Sequence, residues 1–168
     1  FAVDLVIDTG DITDFGTPLE VELLSRLDDW PVPYVIVLGN HDSPAIANHL
    51  AAIPAVTLLK GEVVEIAGLK IMGISDPAAQ RETMLPAEPE ELAAAVDQGE
   101  QLLARSGKPD ILAVHEQRLA LPFAGKVPVI LHGHSHSPQI REIEGSVVID
   151  AGTSGAAGIR GLQSTEEI

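Results

Sequence analysis

Short apolar runs that stop at glycine or at a polar cluster recur along this chain, with segments of helical periodicity between them. Ala2–Ile7 is apolar, contains β-branched residues and halts at Thr9-Gly10, which predicts a buried strand. Leu19, Leu23, Leu24 and Leu27 follow at helical spacing behind Pro18, so a helix is expected over Pro18–Leu27. Tyr34–Leu38 predicts a second strand ending at Gly39, and Pro44–Ile53 a second helix with Ser43 as its N-cap. This alternation of strand and helix favours a parallel sheet covered by helices.

The middle of the chain changes character. Glu62–Ile66 and Leu69–Ile74 flank Ala67-Gly68 at a spacing that suits a hairpin, so antiparallel pairing is expected there. Asp76–Pro89 reads as irregular, and Glu90–Ala104 as a helix rich in Ala, Leu, Glu and Gln. Two more apolar runs, Ile111–Val114 and Val127–Leu131, end at His115 and at His132-Gly133. A last hairpin is expected over Gln139–Ile149 around Glu144-Gly145, and Ala151–Gly161 reads as loop. No internal repeat or linker divides the 168 residues, which suit one domain.

Composition narrows the functions. Hydrophobic residues make up 45% of the chain, but only 3 Phe, 1 Tyr and 1 Trp are among them, so platforms for stacking bases are scarce. With 25 acidic against 10 basic residues the formal charge is -15, which disfavours long nucleic acids and anionic lipid as partners. A phosphate handled by such a chain needs positive charge from elsewhere, and a metal ion is the obvious source. Cysteine is absent, so disulfides, thiolate metal sites and Cys nucleophiles are excluded. No apolar run reaches the roughly 18 residues of a spanning helix. Localisation and oligomeric state stay open.

Metal-ligand types recur where the apolar runs stop: Asp11 and Asp14, then Asn40, His41 and Asp42, then His115, then His134 and His136. In open α/β sheets the carboxyl ends of the strands share one rim, so these groups can converge. Mixed oxygen and imidazole donors suit zinc, manganese or iron. The blocks Gly10-Asp11-Ile12-Thr13-Asp14, Gly39-Asn40-His41-Asp42, a lone His115 and Gly133-His134-Ser135-His136 together resemble the calcineurin-like metallophosphoesterases, in the family's own order.

That resemblance implies a four-layered α/β/β/α sandwich with a two-metal site that hydrolyses phosphate mono- or diesters, acting on a small phosphate-ester substrate. It implies that Asp11 bridges both metals, that Asn40, His115 and His134 hold the second, and that His136 holds the first. His41 would stand beside the leaving group and Asp14 would orient it. The family's opening Asp-x-His block is not among these residues, and the family continues beyond its last histidine block, so the resemblance implies a domain over 1–168 that is partial at both ends. The first metal then retains only Asp11 and His136, and at most one divalent ion (Mn, Fe or Zn) is expected per chain, with two in the parent protein. The competing expectation is a non-catalytic binding or remnant domain on the same scaffold, holding one metal or none.

Several residues have plainer readings. Glu116 competes with its neighbour His115 as a ligand. His132, His134 and His136 alternate, so an extended segment would point all three one way, and His132 is expected behind the ligands or in the core. His49 reads as surface. Asp8 at the end of the first run has no evident role. Arg81, Arg118 and Arg160 sit in expected loops near the rim, where solvated surface is the more common fate of an arginine.

Overall fold

A computed structural model describes residues 3–153. Nine strands and four α-helices are present among them, in two sheets. The smaller sheet holds β1 (Val6–Asp8), β2 (Tyr34–Val37) and β3 (Val56–Leu59), all parallel and side by side. Its crossovers are α1 (Pro18–Leu24) and α2 (Pro44–Ala52). The larger sheet has the order β4-β5-β6-β7-β9-β8, from β4 (Glu62–Ile66), β5 (Leu69–Ile74), β6 (Ile111–Val114), β7 (Val129–His132), β8 (Gln139–Ile143) and β9 (Ser146–Asp150). Its centre is parallel, and an antiparallel hairpin closes each edge.

Three apolar clusters define the layers. Tyr34, Ile36, Leu38, Ile46 and Leu50 pack α1 and α2 on the outer face of the small sheet. Val35, Val37, Leu59, Ile71 and Ala113 fill the space between the sheets. Met72, Leu112, Ile130 and Phe123 pack the outer face of the large sheet under α3 (Pro89–Ser106) and α4 (Gln117–Ala120). The result is the expected α/β/β/α sandwich. Residues of alternating parity on β2 serve different clusters, which is the period-2 geometry of a strand buried on both faces.

Most expected elements are present, with shifted ends. β1 begins at Val6 and not earlier, while Ala2 lies outside the described residues. The first helix gives way after Leu24 to a 3-10 segment over Ser25–Asp29, as fits the closer Ser and Asp of that stretch. Thr17 opens α1 with a reciprocal capping box to Glu20. The turn at Ala67 and Gly68 has both φ angles positive, 53° and 78°, as a two-residue hairpin requires. Two elements were not expected: β3, only four residues long and close behind Pro54, and the short α4 after His115. The part of the expected Ala151–Gly161 loop from residue 154 onward, and Arg160, lie outside the described residues.

Candidate metal centre

The carboxyl ends of β1, β2, β6 and β7 open onto one rim, and each delivers one of the polar blocks. Asp11 follows β1 through a left-handed turn, with φ of 95° at Gly10 and 58° at Asp11 itself. A left-handed non-glycine residue is costly and persists only where its surroundings fix it. Here they do. The Asp11 N–H donates 2.9 Å to Asp42 Oδ2, and the His41 N–H donates 3.0 Å to Asp11 Oδ1. A Cβ on Gly39 would lie 2.2 Å from Asp11 Oδ1, so only glycine lets the β1 and β2 loops approach this closely.

Asp42 ties the two loops together. Its buried carboxylate also accepts the Gly39 N–H at 2.8 Å and the Thr13 hydroxyl at 3.3 Å. Burial drives its pKa up to about 7, against the pull of the Gly39 N–H and with the push of Asp11's charge. Behind the β2 loop, Asp76 and Gln80 donate backbone N–H groups to the Leu38 and Asp42 carbonyls, so the β5–α3 connection braces it.

His115 stands fully buried at the end of β6. Its Nδ1–H donates 2.8 Å to the Thr9 carbonyl, which fixes the tautomer and turns Nε2 toward the site. That Nε2 lies 3.4 Å from Asp11 Oδ2 and 3.0 Å from His134 Nδ1. Donor atoms of Asp11, His115 and His134 all lie within 4.8 Å of one another. Burial alone would lower the His115 pKa, but the hydrogen bond and charge of Asp11 overcome it and hold the ring at about 8. Burial, with the charge of His115, lowers that of His134. Asp11 is lowered despite its burial, because His115 pairs with it.

Asn40 adds the most telling atom. Its Nδ2 donates 2.7 Å to the Met84 carbonyl, whereas its buried Oδ1 has no hydrogen-bond partner. A buried carbonyl oxygen without a donor is rare and calls for an explanation such as an ion. Oxygen donors from Asp11 and Asn40 with two imidazoles make a set that divalent zinc, manganese or iron accepts. The residues therefore fit a metal.

The other expected site residues fall around this cluster. His41 Nδ1–H donates 2.8 Å to the backbone carbonyl of Asp14, so the main chain of Asp14 orients the ring in this contact. His136, at a positive φ of 56°, lines a cleft of about 580 Å³ that runs from Asp11 and His134 along β1 to Tyr34. The cluster of Asp11, His115 and His134 does not include it. The alternation expected of the three histidines is broken: β7 ends at His132, and His134 then turns left-handed, with φ 68°. His132 points instead to Asp150, 3.4 Å away, in the core. Asp150 also accepts the Ser135 hydroxyl at 2.5 Å and the Gly152 N–H at 2.8 Å, and so it holds the His134–His136 turn from below.

Asp8 now has an account: its carboxylate accepts the Tyr34 hydroxyl and the Gly10 N–H, stabilising the start of the β1 turn. Glu116 is not at the cluster but pairs with Arg118, and Arg81 pairs with Glu91. Neither of these arginines is a loose rim cation. Asp42 and Asp150 are the residues whose roles the sequence did not show. The only hint was their type: buried strand-end carboxylates are expensive unless they receive hydrogen bonds.

The family model for the calcineurin-like phosphoesterases matches residues 1–138. The chain belongs to that family. Membership implies metal-dependent hydrolysis of phosphoesters, a hydrolase class into which the candidate site of Asp11, His115 and His134 fits. Among solved structures, a phosphopantetheinyl hydrolase from Mycobacterium tuberculosis is similar over 88% of this chain and 78% of its own, at 14% identity and a TM-score of 0.55. An archaeal phosphodiesterase is 17% identical over 92% of this chain and 70% of its own, with a TM-score of 0.48. The likeness to the mycobacterial enzyme is one of fold. A search of the curated proteins finds no match. No helix among the described residues is long and apolar enough to cross a membrane.

Proposed function

We propose that this phosphoesterase domain hydrolyses a small phosphate mono- or diester at a metal centre on the rim, with a second ion completing the centre. Asp11, Asn40, His115 and His134 would hold one ion, and Asp11 with His136 would contribute to the other. Divalent ions there supply Lewis acidity and the positive field that a chain of formal charge -15 lacks. The observation that carries this reading is the convergence of the Asp11, His115 and His134 donors, together with a buried Asn40 Oδ1 that has no hydrogen-bond partner.

The chain's own residues do the rest. His41, its Nδ1 held by the Asp14 carbonyl, would stand beside the departing ester oxygen and pass it a proton, with the main chain of Asp14 keeping the ring in place. His115, with Nδ1–H held by the Thr9 carbonyl, would present Nε2 to the ion.

A single-ion binding module is the second reading. It is favoured by one observation, that His136 stands apart from the three-residue cluster. Metal analysis and an assay separate the two. The chain is loaded with Mn²⁺ or Zn²⁺, its ions are counted, and chromogenic mono- and diesters are supplied. Metal-dependent turnover lost in His41→Ala with metal retained supports the enzyme. Bound metal with no turnover supports the binding module.

A further inference from the structure

A second cavity, of about 610 Å³, shares no lining residue with the cleft at the metal cluster. Three pieces of chain enclose it: the β3–β4 turn at Lys60, the end of β5 with the residues up to Gln80, and one stripe of α3. On α3 the lining positions Glu91, Ala95, Gln98, Leu102 and Arg105 recur at helical spacing, so their side chains follow one another along a single face. These walls are fixed by the fold itself. Ser75 Oγ accepts the Leu38 N–H at 3.1 Å and donates to the Leu59 carbonyl at 2.8 Å, while the Asp76 and Gln80 N–H groups donate to the Leu38 and Asp42 carbonyls. Gly99 keeps α3 close to the sheet, since a Cβ there would lie 2.5 Å from Ile74 Cδ1.

Ile74, Ala95 and Leu102 belong to, or pack against, the core of the large sheet, so the inward side of the cavity is apolar. Lys60, Gln98, Gln101 and Arg105 also line it, and each of these side chains can donate hydrogen bonds. Arg105 is oriented by its own helix: Nε donates 3.3 Å to the Gln101 carbonyl, and both Nη groups have no partner among the described residues. On a chain with 25 acidic and 10 basic residues, neither Lys60 nor Arg105 makes an ion pair among the described residues. The two carboxylates that line the cavity are already engaged, Glu91 by Arg81 and the Glu88 N–H, and Asp76, only 4% exposed, by the Ala78 N–H. Glu91 also stands about 21 Å along the helix from Arg105. Glu90, Asp97 and Glu100 lie off the stripe. Unneutralised positive charge is thus gathered beside apolar surface on a protein of charge -15.

We infer that this cavity is a binding site for a small organic oxyanion, a carboxylate or phosphoryl head on a short apolar body, separate from the metal centre. The volume lies in the range of roughly 300–1,000 Å³ over which small-molecule sites are built, with apolar walls and a few directed polar groups. The planar guanidinium of Arg105 matches two oxygens of such a head at once, and Lys60 adds a second charge from a different wall. The body rests on Ile74, Ala95 and Leu102. Because the walls are hydrogen-bonded in place, binding spares the ordering cost that a mobile loop would incur. The site needs no metal, so it stands apart from the phosphoesterase reading.

Titration followed by the backbone amide NMR signals of Gln98, Gln101 and Arg105 tests this, with benzoate, phenylphosphonate and the uncharged benzyl alcohol as probes. The chain is used both free of metal and loaded with Zn²⁺. The anions are expected to shift these signals in both states and to bind at least roughly tenfold more tightly than benzyl alcohol. Binding of one anion alone supports the site and identifies its head group. Arg105→Gln and Lys60→Gln are each expected to weaken binding by roughly three- to tenfold, and Lys70→Gln, an exposed lysine off the cavity, to leave it unchanged. Parent-like affinity in Arg105→Gln, an equal loss in Lys70→Gln, equal binding of benzyl alcohol, or no shift with any probe overturns the proposal. So do shifts confined to the Zn²⁺-loaded chain, which would put the anion on the metal.

Discussion

The two sides of Asp11 are built to different standards. On the side of β2, β6 and β7, the cluster is buried and cross-braced: Asp42 grips the Asp11 and Gly39 N–H groups, Thr9 fixes His115, and Met84 fixes Asn40. On the other side, Asp11 and His136 look into a cleft of about 580 Å³ along β1, whose outer edge has no strand partner among the described residues. Ligands that are preorganised bind metal with little ordering cost, while ligands that must be gathered bind weakly. On the proposed reading, the fold would give one strong half-site and one weak one.

The sharpest way to break that contrast is to remove one ligand from each side. His134→Ala deletes a donor from the braced half and is expected to lower metal affinity by more than roughly 100-fold. His136→Ala is expected to change the affinity of the tightest ion by less than about threefold. Calorimetric titration with Zn²⁺ reads both. Equal losses would mean that the two halves are one site.

Next in size is the brace itself. Asp42→Ala leaves two backbone N–H groups without an acceptor in a buried place, while the Thr13 hydroxyl keeps the His41 carbonyl, and is expected to cost about 2–3 kcal/mol of stability in denaturant unfolding. Asp42→Asn is expected to cost under about 1 kcal/mol, since one amide oxygen accepts both N–H groups and the amide nitrogen donates to Thr13. A large loss in Asn as well would show that the negative charge, and not the acceptor geometry, holds the loops.

How far these features were legible follows from their range in sequence. Asp11, Asn40, His115 and His134 were readable because each ends an apolar run, and strand ends share a rim. Asp42 and Asp150 were not, because their partners lie 31 and 15 positions away and only the folded chain brings them together. The left-handed turns at Asp11, His134 and His136 were invisible for another reason: glycines before Asp11 and His134 signal a turn, and Ser135 before His136 does not, but nothing local says that the next residue must adopt a positive φ. This is why alternation misled for the three histidines, although His132, expected behind the ligands or in the core, is buried. β3 escaped because four apolar residues so close behind Pro54 carry too little periodicity to tell strand from coil. The parallel sheet under its helices, by contrast, followed from alternating strand and helix patterns, while the four-layer order came only from the family resemblance.

Proton competition sharpens the comparison on a smaller scale. His115 is held protonated up to about pH 8 without metal, whereas a ligand must be neutral, so metal binding displaces about one proton at pH 7. Because the folded pKa lies above the ordinary 6.5, the His115 contribution to metal-free stability is complete below pH 6.5 and is lost as pH rises through 8. Metal affinity moves the opposite way, weakening roughly tenfold per pH unit below about 8 and levelling above it. His134, lowered by burial, adds nothing to this slope near neutrality. Zn²⁺ titrations in two buffers of different ionisation enthalpy count the protons. A flat affinity between pH 6.5 and 8.5 would mean that His115 is not a ligand.

The smallest expected effect tests the support beneath the β7–β8 turn. Ser135 donates to Asp150 Oδ2, and Asp150 also faces His132 and the Gly152 N–H, so one carboxylate fixes the residue between the two histidines. Both histidines lie at positive φ, a geometry that relaxes unless it is held. Ser135→Ala removes the hydroxyl's bond to Asp150 and its bond from the Ser137 N–H and leaves Asp150 two other partners, so metal affinity is expected to fall only about three- to tenfold, with unfolding stability lowered by about 1 kcal/mol. The loss should fall on His134, because that side chain reaches across to His115 and Asp11, whereas His136 has no partner in the cluster whose position could be spoiled. Combining Ser135→Ala with His134→Ala then adds no further loss of metal affinity, while combining it with His136→Ala gives the sum of the two single effects. Additivity with His134→Ala would place the function of Ser135 elsewhere than in aiming that histidine.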